Sequence, residues 1–391
     1  MVKSKNIFVL FGTIGILFLA GELVANLVDA LTLRAIGISA VRTDMDYRGL
    51  RPDPVLNRVH IPGLKFAYVV RDKENIVNKV EYNSKGLNDY EYGYGKPEGV
   101  SRIVVLGDSF VEALQVRREE NFCKLIESKL NQGGHGKKYE VINMGVSGYS
   151  PILEYIYLKT EGLKYDPDIV ISCFFMNDVY EDSVYREMAV FGDDNLPVSV
   201  HWKGLDKTDK LKGWKRVERK FFNSVKNIAN KSKFYIFLKQ RLYKLLMILK
   251  VKKMSQEQNP FFILNTLPQA EEDALWYDTL RYILAAKALS ETSRAKFLLI
   301  VVPIESQLSD SPQDTVFMTY FREKPCSERV RSRLSRLTAT YGINYVDLLQ
   351  EFGKMPREDL YFDGDGHFNA NGHRQVADLI SGKLRVLGWV D

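Results

Sequence analysis

Five short, almost uninterrupted apolar runs, separated by stretches of helical periodicity, constrain this chain more than any other feature. The runs are 102–106, 139–143, "DIVISCFF" at 168–175, "KFLLIVVP" at 296–303 and "INYVDLL" at 343–349. Apolar runs of this length without alternation read as strands buried on both faces, the pattern of a parallel sheet covered by helices. Helical patterns fall near 117–131, 152–164, 270–294, 327–341 and 370–387, the last placing Val376, Leu379, Ile380, Leu384 and Leu387 on one face. Strands alternating with helices predict an α/β protein, a three-layer α/β/α sandwich around a parallel sheet of about five strands.

Three segments fall outside that alternation. Residues 1–31 open with Lys3 and Lys5 and continue into the uncharged "IFVLFGTIGILFLAG" at 7–21. The following "ELVANLVDAL" keeps Glu22, Asn26 and Asp29 on one helical face, as in a helix leaving a bilayer. Basic residues ahead of the run favour a cytoplasmic N-terminus and an extracytoplasmic body, so a single-pass signal anchor in the cell membrane is expected. A cleaved signal peptide is the rival, without a clear A-x-A site to support it. Residues 45–100 mix Pro, Gly, Asn and Tyr with short β-like runs, an irregular lead-in to the main domain at 101–391.

The third segment, an insertion at about 183–268, is basic and helical in pattern. Between Lys203 and Lys253 stand 17 Lys or Arg against three acids, while the whole chain carries only +6. A solvated helical insertion, a basic amphipathic helix on anionic lipid beside the anchor, and a nucleic-acid patch are the open readings. Export disfavours nucleic acid, so no nucleic-acid partner is expected. Cys123, Cys173 and Cys326 are widely spaced, without CxxC pairs or histidine companions, so neither a disulfide framework, a metal nor a cofactor is expected.

Four short blocks stand where strands are expected to end, the fourth following the last strand and opening the final helix. Ser109 lies in "VLGDSF", Gly148 in "VINMGVSGYSP", Asn177 in "FFMNDVYED" and His367 in "LYFDGDGHFNANGH". In a parallel sheet such positions share the carboxyl edge, where open α/β sheets bind their ligands. Singly each is an ordinary cap or turn; together they could converge.

In their order and residue types the four blocks resemble the SGNH (GDSL-type) hydrolase family, over roughly residues 100–182 and 295–388. The resemblance implies a flavodoxin-like sheet, a serine esterase activity and no cofactor. Ser109 would be the nucleophile and His367 the base. The N–H groups of Ser109 and Gly148 and the amide of Asn177 would form the oxyanion hole. Two departures stand out. Gly364, not an acid, lies three residues before His367, leaving Asp365 as first candidate for the orienting acid and Asp363 as second. The Asp-x-His spacing resembles the polysaccharide O-acetyltransferase (DHHW-type) branch. Phe175 occupies the usual glycine position of the third block. His373 is expected at the surface or as a cap of the last helix, and His60, His135 and His201 without catalytic company.

The leading functional expectation is a membrane-anchored serine esterase removing acyl groups, acetyl foremost, from an envelope carbohydrate or lipid. The membrane partner would be met through the N-terminal helix, with 203–253 as a second contact. An O-acyltransferase passing the same acyl-enzyme to a polysaccharide hydroxyl needs the same residues. A catalytically silent envelope binding protein is the alternative outside enzymes.

Overall fold

The computed structural model describes residues 49–70, 76–132, 136–201, 269–308, 327–363 and 365–391, together with a short helical stretch at 19–21 and 23–24. The chain divides into two units, Met1–Asp44 with Lys203–Met254 and Met45–Trp202 with Ser255–Asp391. The second holds every element named below. Apart from the stretch at 19–24, the expected anchor and the basic segment 203–253 lie outside the described residues. Among the described residues no helix is long and apolar enough to cross a membrane.

The lead-in forms two antiparallel hairpins, β1 (Leu50–Asp53) with β2 (Asn57–His60) and β3 (Lys65–Val69) with β4 (Val77–Glu81). The central sheet follows: β5 (Val100–Gly107), β6 (Lys138–Gly145), β7 (Ile169–Phe174), then β10 (Lys296–Val301) and β11 (Asn344–Asp347). Between β7 and β10 a third antiparallel hairpin pairs β8 (Ala189–Phe191) with β9 (Pro197–Val200). The sheet runs in the order β6-β5-β7-β10-β11, all parallel. Every residue of β7 is buried, as are all of β5 except Val100, because helices cover both faces. This is the flavodoxin-like order, with its switch point between β5 and β7.

The helices are α1 (Ser109–Glu112), α2 (Phe122–Asn131), α3 (Pro151–Thr160), α4 (Asp178–Arg186), α5 (Gln269–Thr292), α6 (Ser327–Thr340), α7 (Leu348–Phe352), α8 (Arg357–Leu360) and α9 (Ala370–Val386). α2 packs with α9, and α3 and α4 pack against α5. Their starts follow local chemistry. Asn121 caps α2 through the Cys123 N–H, Pro151 stands at the first position of α3, and Asn369 caps α9 through two N–H groups.

Two expectations need correction. The run "INYVDLL" does not stay extended to residue 349, because the Asp347 carboxylate accepts from the Leu349 N–H and starts α7. His367 therefore does not directly follow the last strand, since α7 and α8 intervene, and the final helix opens at Ala370.

Candidate active site

The strand β5 stops where Asp108 caps the single-turn α1, its Oδ1 accepting from the Phe110 N–H at 2.9 Å. Burial pushes the Asp108 carboxyl up to about 6, against the Phe110 N–H and the nearby His367, which favour its charge. The turn packs directly on the end of β6. A Cβ on Gly145 would stand 2.2 Å from the Glu112 nitrogen, so no other residue fits there. Ser109 is the first residue of α1, and its N–H therefore has no intrahelical acceptor.

From this turn a row of hydrogen bonds leads away. Ser109 Oγ lies 2.8 Å from His367 Nε2, and His367 Nδ1 lies 2.6 Å from Asp365 Oδ1. Gln115 Nε2 donates to that same Asp365 oxygen at 3.1 Å. Burial alone would lower the His367 imidazole, but the Asp365 hydrogen bond and charge, with the charge of Asp108, hold it above its ordinary value. Asp363, the second candidate for the acid, instead meets Arg357 Nη2 at 3.5 Å. The loop carrying His367 is pinned by the Phe362 N–H on the His367 carbonyl and by the bridge between Tyr361 and Phe368. A cleft of about 740 Å³, lined by Gln115, Phe362, Asn371 and Arg374 among others, adjoins the Asp365 end of the row.

Phe175 takes an aromatic place next to these groups. Its ring lies 4.7 Å from that of Phe110, which lies 4.9 Å from the His367 imidazole. Phe175 thus backs the Phe110 ring that lies beside the histidine.

Gly148 adopts φ +74°, a left-handed conformation suited to glycine, and its N–H has no acceptor among the described residues. The residue before it is held by Glu112. This wholly buried carboxylate accepts from the Ser147 N–H at 2.8 Å and from the Ser147 hydroxyl, and from Tyr82 Oη–H at 2.7 Å. His60 Nε2 lies 2.9 Å from it. Burial would raise Glu112, but His60 and these hydrogen bonds together bring it below the usual carboxylate range. Asn177 stands at the start of α4, one strand over, with its Oδ1 buried and without a hydrogen-bond partner.

The sequence therefore points to residues that the fold brings to the ends of β5, β6 and β7, with the His367 loop meeting the first. It missed Gln115 and Glu112, although both lie within seven residues of Ser109, because nothing in their own spacing marks their partners. The expectation for His373 is corrected. Its side chain is buried, stacks on Phe122 with ring centroids 5.8 Å apart, and accepts from the Phe122 N–H at 3.3 Å. Burial pushes its imidazole down to about 3, so it is a neutral core residue. His60, expected without catalytic company, reaches the turn through Glu112. His201 lies at the exposed Ser199, and His135 lies outside the described residues. Among the described residues no group of three His, Cys, Asp or Glu could hold a metal ion, and Cys123 and Cys173 are buried free thiols.

No protein-family model matches the sequence, and no curated protein matches it. Solved structures similar to the chain include the acetyl xylan esterase AlAXEase, at 15% identity over 72% of this chain and 98% of that one, with a TM-score of 0.39. TesA matches at 12% identity over 73% and 99% of the two chains, TM-score 0.38. A GDSL-like lipase from Bacteroides thetaiotaomicron matches at 11% over 76% and 93%, TM-score 0.37.

Proposed function

We propose that this chain is a serine esterase of the SGNH type, cleaving acyl esters, acetyl foremost, from an envelope carbohydrate or lipid. The observation that carries the reading is the row Ser109–His367–Asp365, in which the Asp365 hydrogen bond and charge raise His367 above its ordinary value. A serine hydroxyl becomes an effective nucleophile when an oriented imidazole accepts its proton. His367 Nε2 takes the Ser109 proton as Oγ bonds the acyl carbon, and the carbonyl π pair moves to oxygen. The Ser109 and Gly148 N–H groups and the Asn177 amide are the donors for that oxyanion, each worth about 3–4 kcal/mol in comparable sites. Collapse breaks the C–O bond to the alcohol, which leaves with the proton from His367. Water then enters by the same steps and releases the acid. A sugar hydroxyl entering in place of water would make the same site a transferase.

The acyl class and acceptor follow the sequence resemblance, and an extracytoplasmic site tethered through residues 7–31 follows the apolar run behind Lys3 and Lys5. The test is hydrolysis of 4-nitrophenyl acetate and acetylated oligosaccharides by wild type and Ser109→Ala, with free acetate and transferred acetyl quantified separately. Ser109→Ala should lose on the order of a millionfold in turnover. More than a few per cent of activity left in a folded variant would remove Ser109 from the role. Acetyl recovered mainly on an added sugar would turn the assignment to transfer.

A further inference from the structure

Beside Gly148, one of the three oxyanion donors named above, lies a side chain that the mechanism has not used. Arg58 comes from β2 of the lead-in, far from Gly148 in sequence. Its Nη2 donates to the Gly148 carbonyl at 3.1 Å and also to Tyr185 Oη. Tyr185 in turn donates to the same Gly148 carbonyl at 2.7 Å. The guanidinium fills the space that a side chain on residue 148 would need, with Nη2 2.5 Å from the ideal Cβ position. The arginine is itself held in place. Tyr149 Oη–H donates to the Arg58 carbonyl at 2.7 Å, and the neighbouring Leu56 bridges Val200 of the β8–β9 hairpin.

The second half of the arrangement lies along α4. Asn177, Glu181 and Tyr185 are spaced by four and share one helical face. Tyr185, which meets the Gly148 carbonyl, therefore stands two turns along the face that begins at Asn177. Gly148 is thereby bracketed. Glu112 holds the Ser147 side of it, Arg58 and Tyr185 hold its carbonyl, and its N–H alone is left uncommitted.

We propose that Arg58 and Tyr185 are positioning residues for this oxyanion hole, together fixing the Gly148 peptide through its carbonyl. Because Tyr185 belongs to the helix that Asn177 opens, the same contact ties donors from two different strand ends. This rests on the esterase reading given above. A donor is useful only where the oxyanion forms, so loosening either support penalises the transition state while leaving ground-state binding nearly unchanged.

The experiment compares Arg58→Met, Arg58→Lys and Tyr185→Phe with wild type on 4-nitrophenyl acetate, reading kcat and KM separately. A boronic acid inhibitor serves as a transition-state mimic, and circular dichroism and thermal melting check the fold. Arg58→Met should lower kcat about thirty- to a hundredfold, a fraction of the loss of a whole donor, and Tyr185→Phe should lower it in the same sense. KM should stay within about threefold, and boronate affinity should fall in step with kcat. Arg58→Lys, which keeps one donor, should regain part of the loss. Full kcat in a folded Arg58→Met overturns the proposal, as does a rise in KM with kcat unchanged, which would make Arg58 a substrate contact. An inactive wild type would retire the esterase reading and this proposal with it, whereas an active wild type indifferent to Arg58 retires this proposal alone.

Discussion

Replacing Asp365 with asparagine separates two things that its carboxylate does at once, fixing the tautomer of His367 and supplying negative charge. The same oxygen, Oδ1, meets His367 Nδ1 at 2.6 Å and the Gln115 Nε2–H donor at 3.1 Å. In Asp365→Asn, Gln115 continues to call for an oxygen there, so the amide keeps its carbonyl towards the ring. Nδ1 stays protonated and Nε2 keeps its lone pair towards Ser109. What is lost is charge. The Asp365 side chain is only 6% exposed and that of His367 26%, so screening by water is modest. Two unit charges about 4 Å apart at an effective dielectric of about 20 attract by about 4 kcal/mol. Withdrawing that from the imidazolium of the transition state predicts a loss of about 10³ in turnover. Adding Gln115→Leu frees the amide to turn and offer its NH₂, so the double variant should approach the 10⁴ or more associated with a wrong tautomer. The assay is kcat/KM for 4-nitrophenyl acetate between pH 5 and 9. Only the neutral imidazole accepts a proton, and His367 is held above 6.5, so wild-type activity should fall as pH drops through that raised value. Asp365→Asn should move this limb to lower pH, because burial then acts with less opposition. A loss under tenfold, an unmoved limb, or a larger loss in Asp363→Asn would refute the reasoning.

Glu112→Leu leaves the Tyr82 hydroxyl and the Ser147 N–H and hydroxyl buried without their acceptor. At about 1–3 kcal/mol each the unfolding free energy in urea should fall by about 3 kcal/mol or more, and a change under about 1 kcal/mol would contradict the role given to this carboxylate. Stability should also depend on pH in an unusual sense. Burial raises Glu154 to about 8 and Asp182 and Glu181 to about 7. A raised carboxyl contributes stability that is complete below its unfolded value near 4 and is lost as pH climbs through the folded value. His373, held near 3, acts oppositely, costing stability as pH falls below about 6.5. The melting temperature should therefore peak near pH 5 and decline towards pH 9, with Glu154→Gln flattening the alkaline side; a midpoint still rising at pH 9 would count against it. On the sequence of residues 1–31, the full chain should remain in the membrane pellet after a high-salt wash and leave it only with detergent, and release by salt alone would argue against an anchor.

The inner strands were legible in the sequence because burial on both faces removes any need for polar alternation, so β5, β7 and β10 announce themselves as apolar runs, whereas the edge strand β11 stays partly exposed. The ends were less legible. Leu348 and Leu349 are as apolar as the strand before them, yet they turn into a helix because Asp347 offers a cap, a signal that outweighs hydrophobicity within one residue. His373 was misread for a related reason. Its position near the start of α9 suggested exposure, but α9 lays that face against α2, where Phe122 covers the ring. Position along a helix says little about which neighbour the helix will meet.

The groups that support the site lay further out of reach, and the cause is physical rather than statistical. Every partner of the Glu112 carboxylate comes from another element: His60 and Tyr82 from the lead-in, Ser147 from the loop after β6. Its backbone carbonyl is taken by Asn88, also from the lead-in, at 2.8 Å. A periodicity argument reports the burial of an element on itself and carries no information about pairings 30 or more residues away. A buried carboxylate one turn after a nucleophilic serine would raise its own pKa, and add negative charge behind the oxyanion, unless donors arrive from elsewhere. The irregular segment 45–100 supplies most of them, and Arg58 at Gly148 besides. What looked in the sequence like a loosely structured preface is the part of the fold that braces the turn carrying Ser109 and the glycine beside it.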